Sequence, residues 1–150
     1  MPVLVDTNIL LRLLQPQHPH ARIAEEALDE LRRRDEVLNV TSQNLVEFWA
    51  VITRPIHENG LGFTTTQAIA ELQALKRFFA LLPEVPLHEQ WERLVGTHSV
   101  SGKNTHDARL VAAMIVHGVN AILTFNVQDF TRYPISVLDP MSFRERETGS

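Results

Sequence analysis

Short apolar runs alternate with longer stretches of helical periodicity along this chain. Val3 to Val5 is an apolar run that ends at Asp6 and reads as a buried strand. Thr7 to Leu14 reads as a helix that stops before Pro16. Between Pro19 and Arg34, the residues Ile23, Ala24, Ala27, Leu28 and Leu31 recur at the three-to-four spacing of one buried helix face. Val37 to Val40 reads as a second strand. Thr41 or Ser42 caps a third helix running to about Thr53, with Pro55 as its stop. Beyond the Gly60-Leu61-Gly62 loop, Thr64 or Thr65 opens a fourth helix to about Ala80. Leu81 to Val85 predicts a short strand and Leu87 to about His98 a helix. Asn104 to His117 is strongly apolar and helical, with Gly118 as its C-terminal stop. Ala121 to Thr124 and Ile135 to Leu138 supply the last strands.

Strands that alternate with helices predict a parallel sheet covered on both faces, an α/β class fold. In such sheets the reactive crevice lies beyond the carboxyl ends of the strands. Asp6 follows the first strand, while Asn126 and Asp129 follow the Ala121 to Thr124 strand, so both groups reach one crevice.

Composition narrows the chemistry. The chain has 150 residues, enough for one domain with a proper core, and no repeat or linker divides it. We place the domain at residues 1–140 and treat 141–150 as a C-terminal tail whose final Gly149-Ser150 reads as an expression scar. The hydrophobic fraction of 44% and charged fraction of 21% are those of a globular protein. With no cysteine, disulfides, zinc–thiolate sites and cysteine nucleophiles are excluded, and a reducing cytoplasm is the expected setting. No basic leader precedes an apolar core, and no uncharged apolar run is long enough to span a bilayer, so no membrane partner is expected. A net charge of −4 does not suit a general nucleic-acid binder, so a polyanionic ligand needs local basic clusters or bound cations. Arg32, Arg33 and Arg34 form one such cluster near a helix end, where such a run is more often a solvated, dipole-favoured face; Arg12, Arg54, Lys103 and Arg109 are scattered.

Several carboxylates have structural explanations available. Asp6 serves as a helix N-cap, Asp107 follows Asn104 at a spacing resembling a capping box, and Asp129 sits in a polar turn. Glu47 lies within Leu45-Val46-Glu47-Phe48-Trp49-Ala50-Val51-Ile52, apolar on nearly every side. A carboxylate there faces a cleft, ligates a metal, or pairs with a cation such as Arg54 or Arg109, because an unpaired buried charge is costly. Converging acids repel one another and resist ionisation unless a cation is present. Oxygen-only ligands point to a hard ion, Mg²⁺ or Mn²⁺, and such ions suit phosphodiester hydrolysis.

Other constellations are weaker. Gly60-Leu61-Gly62-Phe63 lacks the third glycine of a dinucleotide loop and follows no strand. None of the seven histidines shows the helical pairing of a zinc hydrolase, and His106 stands out only because it adjoins Asp107. An aspartyl-phosphate phosphatase also begins with a strand and Asp, but carries a second Asp two positions on, where this chain has Asn8.

Asp6-Thr7-Asn8 after an apolar strand, Glu47 in an apolar helix, Asp107-Ala108-Arg109 opening a helix, and Thr124-Phe125-Asn126-Val127-Gln128-Asp129-Phe130 together resemble PIN-domain nucleases, closest to the VapC-like toxin branch. Their order and spacing carry the resemblance, which extends from Val3 to about Pro140. It implies an α/β/α sandwich around a parallel sheet of about five strands, and Mg²⁺- or Mn²⁺-dependent endoribonuclease activity on RNA. Asp6 and Asp107 would be the principal metal ligands, and Glu47 a ligand directly or through water. Thr124 falls at the family's hydroxyl position and Asn8 beside the first acid. The fourth acid is the departure: its usual place is taken by Asn126, and Asp129, three residues on, is the alternative. The resemblance further implies a homodimer and a cognate antitoxin lying in an apolar groove, for which Leu10 to Leu14 and Leu72 to Phe79 offer faces. A catalytically weak binding module on the same fold, and an aspartate-dependent phosphatase, are the competing readings.

Overall fold

The computed structural model describes residues 1–148, so Gly149 and Ser150, read above as an expression scar, lie outside the described residues. In chain order the elements are β1 (Pro2–Val5), α1 (Thr7–Arg12), α2 (Ala21–Arg33), β2 (Val37–Val40), α3 (Ser42–Thr53), α4 (Thr65–Phe78), β3 (Ala80–Leu81), α5 (His88–Thr97), α6 (Asn104–His117), β4 (Ala121–Leu123), β5 (Ser136–Leu138) and α7 (Met141–Thr148). The strands form one sheet in the order β3-β2-β1-β4-β5, and every pairing is parallel.

The side-chain alternation of β1 explains the layers. Val3 and Val5 point to one face, where they join Ile9, Leu10, Leu28, Phe48, Ile52 and Phe79 from α1 to α4. Leu4 points to the other, where it meets Leu94, Leu110, Met114 and Ile122 under α5 and α6. The result is the expected α/β/α sandwich with five parallel strands. β1 pairs with β2 on one side and with β4 on the other, and these two neighbours are reached by crossovers leaving in opposite directions. The topological switch point, where such sheets open a crevice, therefore lies at the carboxyl ends of β1 and β4.

Several boundaries differ from the sequence pattern. α1 ends at Arg12, two residues short of Leu14, and successive turns carry the chain to Pro16. α2 starts at Ala21 because the His20 N–H donates to His18 Nδ1 at 3.0 Å, holding the residues before it in a turn. The expected strand from Leu81 to Val85 is only Ala80–Leu81, since Phe79 already turns extended after α4 and Pro83 offers no N–H to the ladder. Thr124 and Ile135 lie just outside β4 and β5. Met141–Thr148, to which the pattern assigned no element, is a helix packed on α2, with Phe143 buried in the first core. Among the described residues no helix is long and apolar enough to cross a membrane.

The Gly60 loop finishes α3. The N–H groups of Leu61, Gly62 and Phe63 donate to the carbonyls of Val51, Arg54 and Ile52, so the orphan carbonyls of the last helical turn are satisfied. A Cβ on Gly60 would stand 2.0 Å from the Arg54 carbonyl oxygen, which is why glycine occupies this position.

Candidate active site

Asp6 leaves β1 in extended conformation and caps α1: its Oδ1 accepts from the Thr7 N–H at 2.8 Å. Its Oδ2 accepts from the Thr124 hydroxyl at 2.8 Å, and the Asn8 amide nitrogen stands 3.5 Å away. The helix-cap role and a role in a cluster thus coexist, one oxygen for each. Asp6 is 6% exposed. Burial pushes its carboxyl up to about 6, with Glu47 and Asp129 adding repulsion, although the Thr124 hydroxyl and the Thr7 N–H oppose the rise.

Thr124 joins β4 to this corner. Its buried hydroxyl donates to Asp6 while accepting from the Asn8 amide at 3.3 Å and the Asn126 N–H at 3.0 Å. Asn8 Oδ1 in turn accepts from the Phe125 N–H at 3.3 Å. Both residues therefore stitch the ends of β1 and β4 together.

Glu47 reaches the crevice from α3. Its Oε2 accepts from the Thr7 hydroxyl at 2.9 Å and its Oε1 from the Gln43 amide at 3.0 Å. The alternative of an arginine partner for Glu47 is not met by Arg54 or Arg109. Arg54 lies exposed at the far end of α3, and Arg109 donates to Gln43 Oε1 at 3.0 Å instead of to Glu47. Asn44, fully buried, fixes the start of this helix: it forms a reciprocal capping box with Thr41 and donates to the Thr7 hydroxyl at 3.0 Å.

Asp107 lies in the first turn of α6. The capping-box explanation for it fails, because Lys103 is the cap without a side-chain bond and the buried Asn104 Oδ1 has no partner among the described residues. Among the described residues no donor is bonded to the Asp107 carboxylate. Burial first, then repulsion from Asp6, Asp129 and Glu47, pushes it up to about 7, against a smaller opposing pull from Lys103. A helix N-terminus ordinarily favours the charged carboxylate; burial and like charge outweigh that here.

The late turn contributes Asp129, at the end of a short 3-10 turn (Val127–Asp129), close enough to raise both Asp6 and Asp107. Asn126 is exposed, and with Asp129 it lines a cavity of about 390 Å³ beside the crevice. His106 is exposed, and its backbone carbonyl accepts from the Gln43 amide at 2.9 Å.

The model of the PIN domain matches residues 3–135 of this chain. The chain belongs to the PIN domain family. Within that family it is similar to Ribonuclease VapC24 of Mycobacterium tuberculosis, 28% identical over 140 residues that cover 92% of this chain and 96% of the relative. Its fold is similar to VapBC2 from Rickettsia felis, solved bound to a promoter DNA fragment, with a TM-score of 0.69 at 14% identity over 92% of this chain and 98% of the other. VapBC-1 from nontypeable Haemophilus influenzae gives the same TM-score at 16% identity, over 94% and 99% of the two chains.

Four carboxylates of this PIN domain, Asp6, Glu47, Asp107 and Asp129, thus share one electrostatic neighbourhood. Among the described residues no three Asp, Glu or His side chains already stand in a ligating arrangement. The donor chemistry nevertheless fits a hard divalent cation: the groups are all oxygen donors, and burial with mutual repulsion raises two of the carboxyls towards neutrality, a rise that Lys103 offsets only in part at Asp107. Thr7, Gln43 and Asn44 hold the candidate site by hydrogen bonds that the sequence does not single out. Gln43 lies one helical turn before Glu47, and Asn44 is a polar side chain in an apolar helix; those were the available signals.

Proposed function

We propose that this PIN domain is a cytoplasmic endoribonuclease, dependent on Mg²⁺ or Mn²⁺, and the toxin of a toxin–antitoxin pair. The observation that carries this reading is the pair of carboxyls at the end of β1 and the start of α6, the buried Asp6 and the half-buried Asp107, each raised towards neutrality by burial and by its acidic neighbours. In this reading Asp6 and Asp107 hold the ion, with Asp129 or Asn126 at the fourth corner. The ion, when bound, activates water and offsets charge on the phosphodiester. Thr124 keeps one Asp6 oxygen from rotating, and Thr7 with Gln43 aims the Glu47 carboxylate at the attacking water. Asn8 and His106 are accessory.

The antitoxin belongs to the same proposal. Leu10, Leu13 and Leu14 face Leu75, Phe78 and Phe79 across a cavity of about 310 Å³, so the two apolar faces expected from the sequence border one groove. Arg32 lies over the Phe78 and Phe79 rings at 5.5 and 5.7 Å, whereas Arg33 and Arg34 are taken up by Glu30. Solved structures of similar fold are VapBC assemblies, which supports a protein partner, and the groove is where we place it. The paired copy of the chain is checked by light scattering. The activity itself is tested by incubating structured RNAs with the protein and Mn²⁺. Cleavage that EDTA or Asp6→Asn abolishes is the expected result, and full activity in either condition overturns the reading.

A further inference from the structure

Arg109 is a cation that stands beside the acid cluster without pairing to it. It lies two residues beyond Asp107 on α6, and among the described residues no carboxylate is within ion-pair distance of it. Arg22, Arg33 and Arg34, by contrast, are each bound to a glutamate. Gln43 makes the difference. Its carbonyl oxygen accepts from Arg109 Nη1 at 3.0 Å, while its amide nitrogen donates to Glu47 and to the His106 carbonyl. A neutral side chain is thereby inserted between cation and carboxylate, and Arg109 is exposed.

Arg109 lines a cavity of about 460 Å³ together with Val85, Pro86, Leu87, His88 and Trp91. The Trp91 ring is anchored by its indole N–H, which donates to the Thr105 carbonyl at 2.9 Å. The exposed His88 ring lies 5.8 Å from it, centroid to centroid. A fixed cation next to a rigid indole and an imidazole is the chemistry that recognises an unpaired nucleotide: guanidinium for phosphate, aromatic faces for the base. The cavity also has the size of a small-ligand site. In a chain of net charge −4, such a local cation is what a polyanion approaching four carboxylates requires.

We propose that Arg109, held by Gln43, and the Trp91–His88 wall form a subsite for one nucleotide of single-stranded RNA adjoining the scissile phosphodiester. Arg109 takes the backbone phosphate and the base lies against Trp91 and His88. The subsite rests on the ribonuclease reading above, so its test must separate the two.

Cleavage of a single-stranded RNA oligomer in Mn²⁺ is followed for the wild type, Arg109→Ala, Arg109→Lys, His88→Ala and Gln43→Ala over a range of salt concentrations. Arg109→Ala is expected to raise KM about 10-fold, to lower the salt slope by about one ion and to leave kcat nearly unchanged. Arg109→Lys keeps the salt slope, and His88→Ala, an exposed position that the fold tolerates, raises KM about 5-fold or more. Gln43→Ala instead lowers kcat, because it frees Glu47. Arg109→Ala and His88→Ala proteins that match the wild type in KM and salt slope overturn the subsite alone. So does an Arg109→Ala protein that loses kcat as Gln43→Ala does, since Arg109 would then act through Glu47. A wild type that neither binds nor cleaves the oligomer overturns the parent reading, and the subsite with it.

Discussion

Asp107→Asn should make the metal-free protein more stable while destroying the cluster's function. In the folded chain Asp107 keeps its proton up to about pH 7, whereas an unperturbed aspartate loses it near 3.8. Between those values the folded state binds more protons than the unfolded state, so stability falls as pH rises through the window. Each pH unit of that window is worth ~1.4 kcal/mol, giving a ceiling of ~4 kcal/mol for a fully buried group. Asp107 is only half-buried, and solvent screening reduces the expected penalty to ~1–2 kcal/mol. Because its carboxylate accepts no hydrogen bond, the amide removes repulsion without orphaning a donor. Thermal unfolding in EDTA should therefore show Asp107→Asn melting about 3–6 °C above the wild type at pH 8. The gain should shrink on acidification and vanish near pH 4. Added Mn²⁺ should reverse the order, since the wild type gains by mass action about 2.7 kcal/mol at 100 times the dissociation constant. A variant no more stable than the wild type at pH 8 in EDTA would refute the reasoning.

Other perturbations test separate parts of the account. Thr124→Val leaves Asp6, Asn8 and the Asn126 N–H without their shared partner, and should cost ~1–3 kcal/mol in denaturant unfolding together with most of the cleavage rate. Gly60→Ala forces a Cβ into the Arg54 carbonyl, so chemical denaturation should report a loss of ~1–3 kcal/mol; an unchanged midpoint contradicts the loop geometry. Phe78→Asp, at a side chain 65% exposed, should leave RNA cleavage intact while weakening an antitoxin peptide about 10-fold or more by fluorescence anisotropy. Equal peptide binding would remove the groove from the proposal.

The layers were legible because the apolar pattern is strong. The β1 run and the Ile23 to Leu31 stripe need a sheet with covered faces, and alternation along β1 divides the two cores. Short elements were less legible, as they depend on single backbone groups. The β3 ladder stops where Pro83 removes a donor, and α2 starts where His18 accepts from the His20 backbone. Met141–Thr148 has no helical stripe in its sequence, and among the described residues Phe143 ties it to the core. Within the candidate site, the acids themselves were visible because Glu47 interrupts an apolar helix. What held them was not visible. Thr7 reaches Glu47 from another element, and Gln43, one turn before Glu47, also bonds the His106 carbonyl across the fold, a separation that no local pattern records. Arg109 looked like a partner for Glu47, and only the intervening Gln43 amide shows that it is not.

The central claim, that Asp6 and Asp107 together hold a divalent cation, is tested most directly by calorimetric titration of Mn²⁺ at pH 6.5 in buffers of different ionisation enthalpy. With carboxyls near 6 and 7, the pair carries about one proton at that pH, and the ion must displace it. The account predicts saturable Mn²⁺ binding with release of about one proton, lost in Asp107→Asn. Mn²⁺ binding of unchanged affinity in Asp107→Asn, or no binding to the wild type, would contradict it.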